Sequence, residues 1–343
     1  MPRLNSYGIR FRQNGYRMQG HPGAAPWDER ELPLSLIGNV GCAFTRTDTA
    51  DIASGARGRR NESAFRQIAV DVQSAGTLAE NMSFHVQDSL ATDTGVSKTG
   101  TAFVQFDDVI KHGALNLKVG LFDVDFPFLA NSRRTTIQRY LSPVSIRAGG
   151  FELNGTRALW TCGAGLMNSH RRAANAKPGT RTFNQLEDTY FWIMRDVGRQ
   201  VFGARMLFDR QDSNLPIHIW LQHLQVHGGA LLDFGRLEVI PAYTFDRFDD
   251  RPAAGVHDKH QLALIEALAL LDREGRWVLT ARLEHDYRTG TDLTPEEDRH
   301  QEALGLARYI SPNARVSLDW AHAGDNLAGP RSDRLDAYVH VGY

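Results

Sequence analysis

Apolar and polar residues alternate along most of the chain with a period of two, which is typical of β-strands. The clearest example is the stretch 64–90, in which Ser74–Thr77 predicts a tight turn between two arms. The apolar positions of the arms are Ile68, Val70, Val72, Met82, Phe84 and Val86. We predict a β-hairpin here, and arms of roughly ten residues are long enough to cross a bilayer when tilted.

The same alternation recurs to the end of the chain. Further arms are predicted at 34–44, 102–106, 115–121, 146–154, 157–168, 187–197, 199–210, 216–227, 234–247, 258–271, 276–289, 298–309, 313–323 and 334–343. The total is about sixteen strands, an even number, as single-chain bacterial outer-membrane barrels require.

The connections between the arms alternate between short and long. Short ones are predicted at Ser74–Thr77, Lys111–Ala114, Asn154–Thr156, Val197–Gly198, His227–Gly229, Asp272–Gly275 and Ser311–Ala314. The intervening ones, such as 125–145 and 168–186, are mostly long. Tight turns at one rim and long loops at the other are typical of an up-and-down barrel in an outer membrane, whereas a Greek-key sandwich has no reason to keep this order.

The last arm is alternating and ends on an aromatic residue, Tyr343. It resembles the terminal strand that the outer-membrane assembly machinery recognises, so we expect Tyr343 to be part of an assembly signal. The alternative is a soluble edge strand that ends on tyrosine by chance.

Composition narrows the classes of protein. The 39 Lys and Arg residues nearly cancel the 40 Asp and Glu residues, so nothing favours a nucleic-acid partner. Two cysteines, Cys42 and Cys162, are too few for a disulfide scaffold. No apolar run is long enough for a transmembrane helix, and the chain as written shows no export leader.

The first 32 residues differ from the rest. Leu4, Tyr7, Phe11 and Met18 are spaced as in a short amphipathic helix, and a Gly and Pro-rich linker follows. We therefore expect residues 1–32 to form a helix and linker, either periplasmic or plugging the lumen, and residues 33–343 to form an all-β transmembrane barrel.

In such a barrel the polar side of each strand lines the lumen. The predicted lumen-lining residues are Asp71, His85, Gln105, Lys118, Arg205, Glu238, Thr244, Arg282, Glu284, Asp286, Asp319 and His340. Both signs of charge are present, which suits a water-filled or partly plugged channel. Alternatively, these side chains only pair across strands and rigidify the wall.

The long connection 125–145 mixes aromatic residues with Arg133, Arg134 and Arg139. Apolar side chains in a loop favour burial, and folding of the loop into the lumen would bury them. The three arginines would then line a constriction of the lumen, so they are the candidates for it. The alternative is a loop packed on the rim with its arginines in water. The connection 168–186 is basic and suits lipopolysaccharide phosphates or solvent.

Motifs of enzymes and metal sites are missing from the sequence. No GxSxG, phosphate-loop, HExxH or GxGxxG pattern occurs, so we expect no enzyme. Neither the acidic group at Asp246, Asp249 and Asp250 nor the histidines His218, His223 and His227 have the spacing of a metal site, so we expect no metal.

Several phrases together resemble the fused cytochrome-porin proteins of bacterial outer membranes. They are PRLNSYGIRFRQNGYRM, SAGTLAENMSFHVQ, AFVQFDDV, LNLKVGLFDVDFPFL and RRTTIQRYL, all in the first half of the chain. The resemblance implies a porin-like barrel, preceded in that family by a short c-type haem segment with a C-x-x-C-H motif.

This chain contains no C-x-x-C-H motif, so it should not bind haem covalently by itself. Haem c is expected only if a segment upstream of Met1, or a partner such as a periplasmic c-type cytochrome, supplies the motif. A gene start placed too far downstream would explain both the missing motif and the missing leader.

The sequence therefore predicts a porin-like channel or scaffold in the outer membrane of a Gram-negative bacterium. Expected partners are outer-membrane lipid, lipopolysaccharide and the barrel assembly machinery. Two other functions stay open: an electron-transfer conduit that uses a haem supplied from outside this chain, and a soluble β-rich adhesin or sandwich.

Overall fold

A computed structural model describes most of the chain. The described residues are 34–50, 57–79, 81–91, 98–110, 114–125, 129, 136, 140–141, 145–169, 188–210, 221–251, 256–289, 296–311, 314–326 and 331–342. The predicted N-terminal helix, the three loop arginines and Tyr343 lie outside them.

Sixteen strands form one closed antiparallel barrel. They are β1 (Leu34–Ala50), β2 (Arg57–Ala79), β3 (Met82–Ala91), β4 (Lys98–Ile110), β5 (Leu115–Asp125), β6 (Ser145–Arg157), β7 (Trp160–Ser169), β8 (Asp188–Val197), β9 (Gln200–Arg210), β10 (Leu221–Asp233), β11 (Leu237–Arg251), β12 (Val256–Leu270), β13 (Trp277–Arg288), β14 (Glu297–Ser311), β15 (Ala314–Asp325) and β16 (Arg331–Gly342). Each strand pairs with its neighbours in the chain, and β1 closes the ring against β16, with Val40 opposite Val339. The predicted all-β up-and-down barrel of sixteen strands is confirmed, and the soluble sandwich is wrong.

Three of the predicted turns are wrong. Ser74–Thr77, Asn154–Thr156 and His227–Gly229 lie inside β2, β6 and β10, and the chain turns instead after each of these strands ends. The reason is visible at Ser74, which pairs with Leu34 on one side and Val86 on the other. Because the closed ring supplies backbone partners to both sides of every strand, small residues stay in the sheet despite their local preference for turns.

The outer face of the barrel is apolar. Large outward-facing side chains with about 40 to 60 % of their surface exposed include Val40, Phe44, Val86, Val119, Leu153, Phe191, Ile265, Leu283, Leu304, Leu318 and Val339. They alternate with buried residues that face the interior, as in β13, where exposed and buried positions alternate from Trp277 onward. An apolar outer face on a closed ring of strands is the arrangement that spans a membrane.

Part of the interior is filled by packed side chains. Inward-facing residues of β5 to β12, among them Phe122, Tyr190, Trp192, Leu207 and Leu264, form one buried apolar cluster. Leu129 and Tyr140, from the connection between β5 and β6, belong to the same cluster. The barrel interior on this side is therefore a packed core.

No helix in the described part of the chain is long and apolar enough to cross a membrane. Both cysteines are free: Cys42 is half-buried and Cys162 is exposed.

Candidate functional site

The interior surface of the barrel is the candidate functional site, because it collects most of the polar residues of the strands. On β13 the inward positions are Thr280, Arg282, Glu284 and Asp286, all buried. The same alternation that faces leucines outward thus carries four hydrophilic side chains into the ring.

Tyr140 and Leu141, from the connection between β5 and β6, contact the far side of this interior. The Tyr140 hydroxyl donates a hydrogen bond to Glu266 Oε2 at 3.1 Å, and the Leu141 backbone N–H donates to Glu284 Oε2 at 2.8 Å. Glu266 and Glu284 lie on β12 and β13, on the opposite side of the strand order from β5 and β6. Residues of the connection 126–144 therefore reach across the ring and bind its far wall.

Arg282 lies at the centre of that contact. Its guanidinium lies 4.5 Å from the centroid of the Tyr140 ring, and its Nε is 2.7 Å from Glu284 Oε1. A longer ion pair of 3.8 Å joins Arg282 Nη1 to Glu266 Oε2. One buried cation thus lies between two buried carboxylates and against an aromatic ring, an arrangement that compensates part of the cost of burying the charges.

A second polar cluster surrounds Glu152 on β6. The carboxylate accepts hydrogen bonds from Lys118 Nζ at 2.6 Å, and from Tyr190 Oη, Trp192 Nε1 and Asn154 Nδ2 at 2.9 Å each. Lys118 also lies over the rings of two inward phenylalanines. Four donors on one carboxylate satisfy a charge that would otherwise be very costly to bury.

Two glycines make this cluster possible. Tyr190 and Trp192 on β8 must pass over β7 to reach β6, and the residues beneath them are Gly165 and Gly163. A Cβ atom at Gly163 would lie 2.5 Å from Trp192 Nε1, and one at Gly165 would lie 2.5 Å from the Tyr190 hydroxyl. Since real Cβ contacts are never so short, only glycine fits at these two positions.

A third cluster is centred on Arg205 of β9. Its guanidinium donates to the Val124 carbonyl, to Gln225 Oε1 at 3.1 Å and to His227 Nε2 at 2.7 Å. The other ring nitrogen of His227 is hydrogen-bonded to Thr244 Oγ1 at 2.7 Å. Both ring nitrogens of His227 therefore have partners, so this histidine acts as a link in the wall.

Nearer the long loops, Asp286 on β13 is paired with His260 of β12 and Arg299 of β14. This ion-pair row joins three adjacent strands at the mouth of the interior. No group of three His, Cys, Asp or Glu residues in the described ranges has the geometry to hold a metal ion.

All the lumen residues predicted from the sequence face the interior, and most of them are tied to neighbours. Buried ones are Gln105, Arg205, Thr244, Arg282, Glu284, Asp286 and Asp319, and half-buried ones are Asp71, His85, Lys118, Glu238 and His340. Asp71 accepts a hydrogen bond from Ser89 at 2.6 Å, and His85 lies 3.4 Å from the Thr101 hydroxyl. Contact between these residues and a solute stays a prediction.

The sequence analysis missed several residues that the structure places in these clusters. They are Tyr140, Glu152, Tyr190, Trp192, Gln225, His260 and Glu266. Glu152 had a usable signal, since it alternates with Phe151 and Leu153. Tyr190 and Trp192 had no such signal, because their neighbours Phe191 and Ile193 are also apolar and the pattern does not show which side faces inward.

Solved structures share this fold at very low sequence identity. The outer membrane channel DcaP of Acinetobacter baumannii has a TM-score of 0.67 at 9% identity, covering 93% of this chain and 100% of that one. The anion-selective porin of Comamonas acidovorans has a TM-score of 0.64 at 12% identity, covering 91% and 100%. Salmonella typhi OmpF, solved in complex with daunomycin, has a TM-score of 0.58 at 12% identity, covering 90% and 97%.

No protein-family model matches the sequence, and no curated protein does. The similarity to the solved structures therefore supports the fold assignment. The apolar outer face supports the assignment of the barrel to a membrane. The resemblance to cytochrome-porin proteins stays a prediction. The chain is a closed sixteen-stranded barrel that shares its fold with outer-membrane porins, and its apolar outer face is that of a barrel that spans a membrane.

Proposed function

We propose that the chain is a passive, porin-like channel for small hydrophilic solutes, narrowed by the segment between β5 and β6. The observation that carries this proposal is the attachment of that segment across the ring, through Tyr140 to Glu266 and through Leu141 to Glu284. A segment fixed across a polar-walled lumen reduces its cross-section while leaving a hydrated path beside it.

The chemistry of the constriction would follow from the two sides that face each other. The wall contributes the carboxylates Glu266, Glu284 and Asp286, and the segment contains Arg133, Arg134 and Arg139. We propose that the three arginines form the basic side of the passage. Since Glu266, Glu284 and Asp286 are already paired with Arg282, His260 and Arg299, the charge that the three arginines add would be in excess, which favours anionic hydrophilic solutes over apolar ones.

Conductance in a planar bilayer tests the proposal. Purified barrel added to one side of a phospholipid membrane in potassium chloride should produce stepwise, lasting current increases of uniform size. Heat-denatured protein from the same preparation is the control. A folded preparation, verified by its β-sheet circular dichroism, that inserts without raising the current would contradict a channel.

The predicted electron-transfer role is a separate proposal and depends on a haem from outside these 343 residues. It is tested by the haem content of the protein purified from its native membrane, with its partners retained. A covalent c-type haem in stoichiometric amount, together with reversible reduction, would support a conduit. A colourless complex would leave the channel as the function.

A further inference from the structure

The inward residues of the barrel differ in exposure from one side of the ring to the other. On β13 the inward positions from Val278 to Asp286 are all buried, and so are those of β15 from Arg315 to Ala321. Ala303 of β14 is only 1% exposed, although its side chain is a single methyl group. A sixteen-stranded barrel encloses more space than its wall side chains fill, so a small inward residue is shielded only where something covers it.

The segment between β5 and β6 supplies part of that cover. A Cβ atom at Gly305 on β14 would lie 2.9 Å from Thr136 Cγ2 and 2.6 Å from Asp319 Oδ1. Thr136 itself is 2% exposed. Tyr140 and Leu141 make the hydrogen bonds to β12 and β13 described above. Residues of the segment therefore lie against β12, β13 and β14.

The lumen stays open on another side of the ring. The interior along β5 to β12 is filled by the buried apolar cluster. On β2 and β3, by contrast, five polar inward residues are half-buried, so part of each side chain reaches the lumen. We call these residues the open wall: Asp71, Gln73, His85, Gln87 and Ser89. Among the described strands, the arc with β2 and β3 thus offers a hydrated path beside the segment.

The open wall is rich in groups that bind hydroxyls. Gln73 and Gln87 lie directly opposite each other on the two strands. Each amide presents N–H donors and a carbonyl acceptor, so two adjacent amides can bind neighbouring hydroxyls of one solute. Asp71 and Ser89 are the next inward pair, and the Ser89 hydroxyl donates to Asp71 Oδ1 at 2.6 Å. A carboxylate has lone pairs for more than one donor, so Asp71 can also accept from a solute hydroxyl.

We propose that solutes pass along the open wall and that the preferred solutes are polyhydroxylated carboxylates, the chemical class of the sugar acids. The inference rests on the proposed function, because it takes the basic side of the passage from Arg133, Arg134 and Arg139. Asp71 repels a carboxylate and accepts hydrogen bonds from hydroxyls. The carboxylate of the solute therefore faces the arginines, and its hydroxyls face the open wall.

Binding of gluconate to the folded barrel tests the assignment. Gluconate is a carboxylate with a hydroxyl on each of its remaining carbons, and propanoate is the probe without hydroxyls. Saturation-transfer difference NMR on the protein in detergent gives both dissociation constants without a current. Gln73→Leu with Gln87→Leu removes the amides and leaves every charge in place. Gln301→Leu is the control, at an inward glutamine of β14 that is buried.

We expect gluconate to bind the wild type and the control alike, and to bind the double variant roughly tenfold more weakly, equal to about 1.4 kcal/mol. Propanoate should bind all three proteins weakly and equally. Equal gluconate affinity in all three proteins would overturn the proposal, as would propanoate binding as tight as that of gluconate. Each variant is first shown to fold by heat-modifiable electrophoretic mobility.

The chloride current of the wild type is recorded separately, so the two proposals can fail independently. A barrel that conducts chloride but shows no preference for gluconate would refute the role of the open wall and keep the channel. Gluconate binding that depends on Gln73 and Gln87, without any current, would refute the channel and keep the open wall as a binding site.

Discussion

Trp192 on β8 reaches across β7 and donates a hydrogen bond from its indole Nε1 to Glu152 Oε2 on β6, over a distance of 2.9 Å. The contact skips one strand of the sheet. It exists because Gly163, directly opposite Trp192 on β7, has no side chain to block the indole. The wall of the barrel is therefore braced over three strands by side chains, in addition to its backbone ladder.

Gly163→Ala should destabilise the barrel by about 1 to 3 kcal/mol, because the new Cβ would displace Trp192 and leave Glu152 short of a donor. The measurement is the free energy of unfolding in urea with the protein in lipid vesicles. Gly149→Ala is the control, since that outward position has room for a Cβ. An equal free energy of unfolding for the two variants would show that the glycine is not needed for the brace.

Lys118 and Glu152 should be strongly coupled. Their atoms Nζ and Oε1 are 2.6 Å apart, with side-chain exposures of 15% and 4%. Lys118→Met alone leaves a buried carboxylate without its cation and should cost about 3 to 5 kcal/mol. The double variant Lys118→Met with Glu152→Gln should recover much of that loss. Urea unfolding of the wild type, Lys118→Met, Glu152→Gln and the double variant completes the double-mutant cycle, and additive losses would refute the coupling.

Tyr140→Phe should loosen the segment that crosses the lumen. It removes only the hydroxyl that bonds Glu266 and keeps the ring over Arg282, so we expect a cost of about 1 kcal/mol and a roughly fivefold larger population of the released segment. The measurement is single-channel recording, in which current fluctuations and mean conductance should both rise. Tyr243→Phe, on the outer face, is the control. A fluctuation rate equal to that of the wild type would mean that the hydroxyl does not restrain the segment.

Leu318→Arg should reveal that the outer face meets lipid. Leu318 is 48% exposed and is the fifth residue of β15, near the middle of the apolar layer. A lipid-facing arginine at that depth costs about 2 to 4 kcal/mol of folding free energy in a bilayer, and much less near its edge. Ile310→Arg, near the end of β14, is the matched control. Folding free energies measured in vesicles would be equal for both if the face contacted water.

Much of this architecture could be predicted from local pattern. The alternation at 276–289 predicted β13 (Trp277–Arg288) to within a residue at each end, and it also separated Arg282 and Glu284 from Leu283. Successive residues of a strand point to opposite faces of the barrel wall, so the alternation of apolar and polar residues decides which side chains enter the interior. The even strand count and the order of long and short connections then predicted closure.

Local pattern failed where distant strands decide the outcome. At Gly228 and Gly229 the glycine pair predicted a turn, yet the strand continues because β9 and β11 supply partners on both sides. The pairing of Tyr140 with Glu266 joins residues 126 positions apart. No spacing in the sequence encodes such a contact.

The sequence by itself determined that this chain forms about sixteen strands, each with one apolar and one polar side. The reason is that the alternation of apolar and polar residues is a local property of neighbouring positions. Tertiary structure alone decided how the interior is divided among clusters around Glu152, Arg205 and Arg282, because each one draws donors from three or more strands. The register between strands depends on the closed ring as a whole, so it cannot be predicted from the sequence of a single strand.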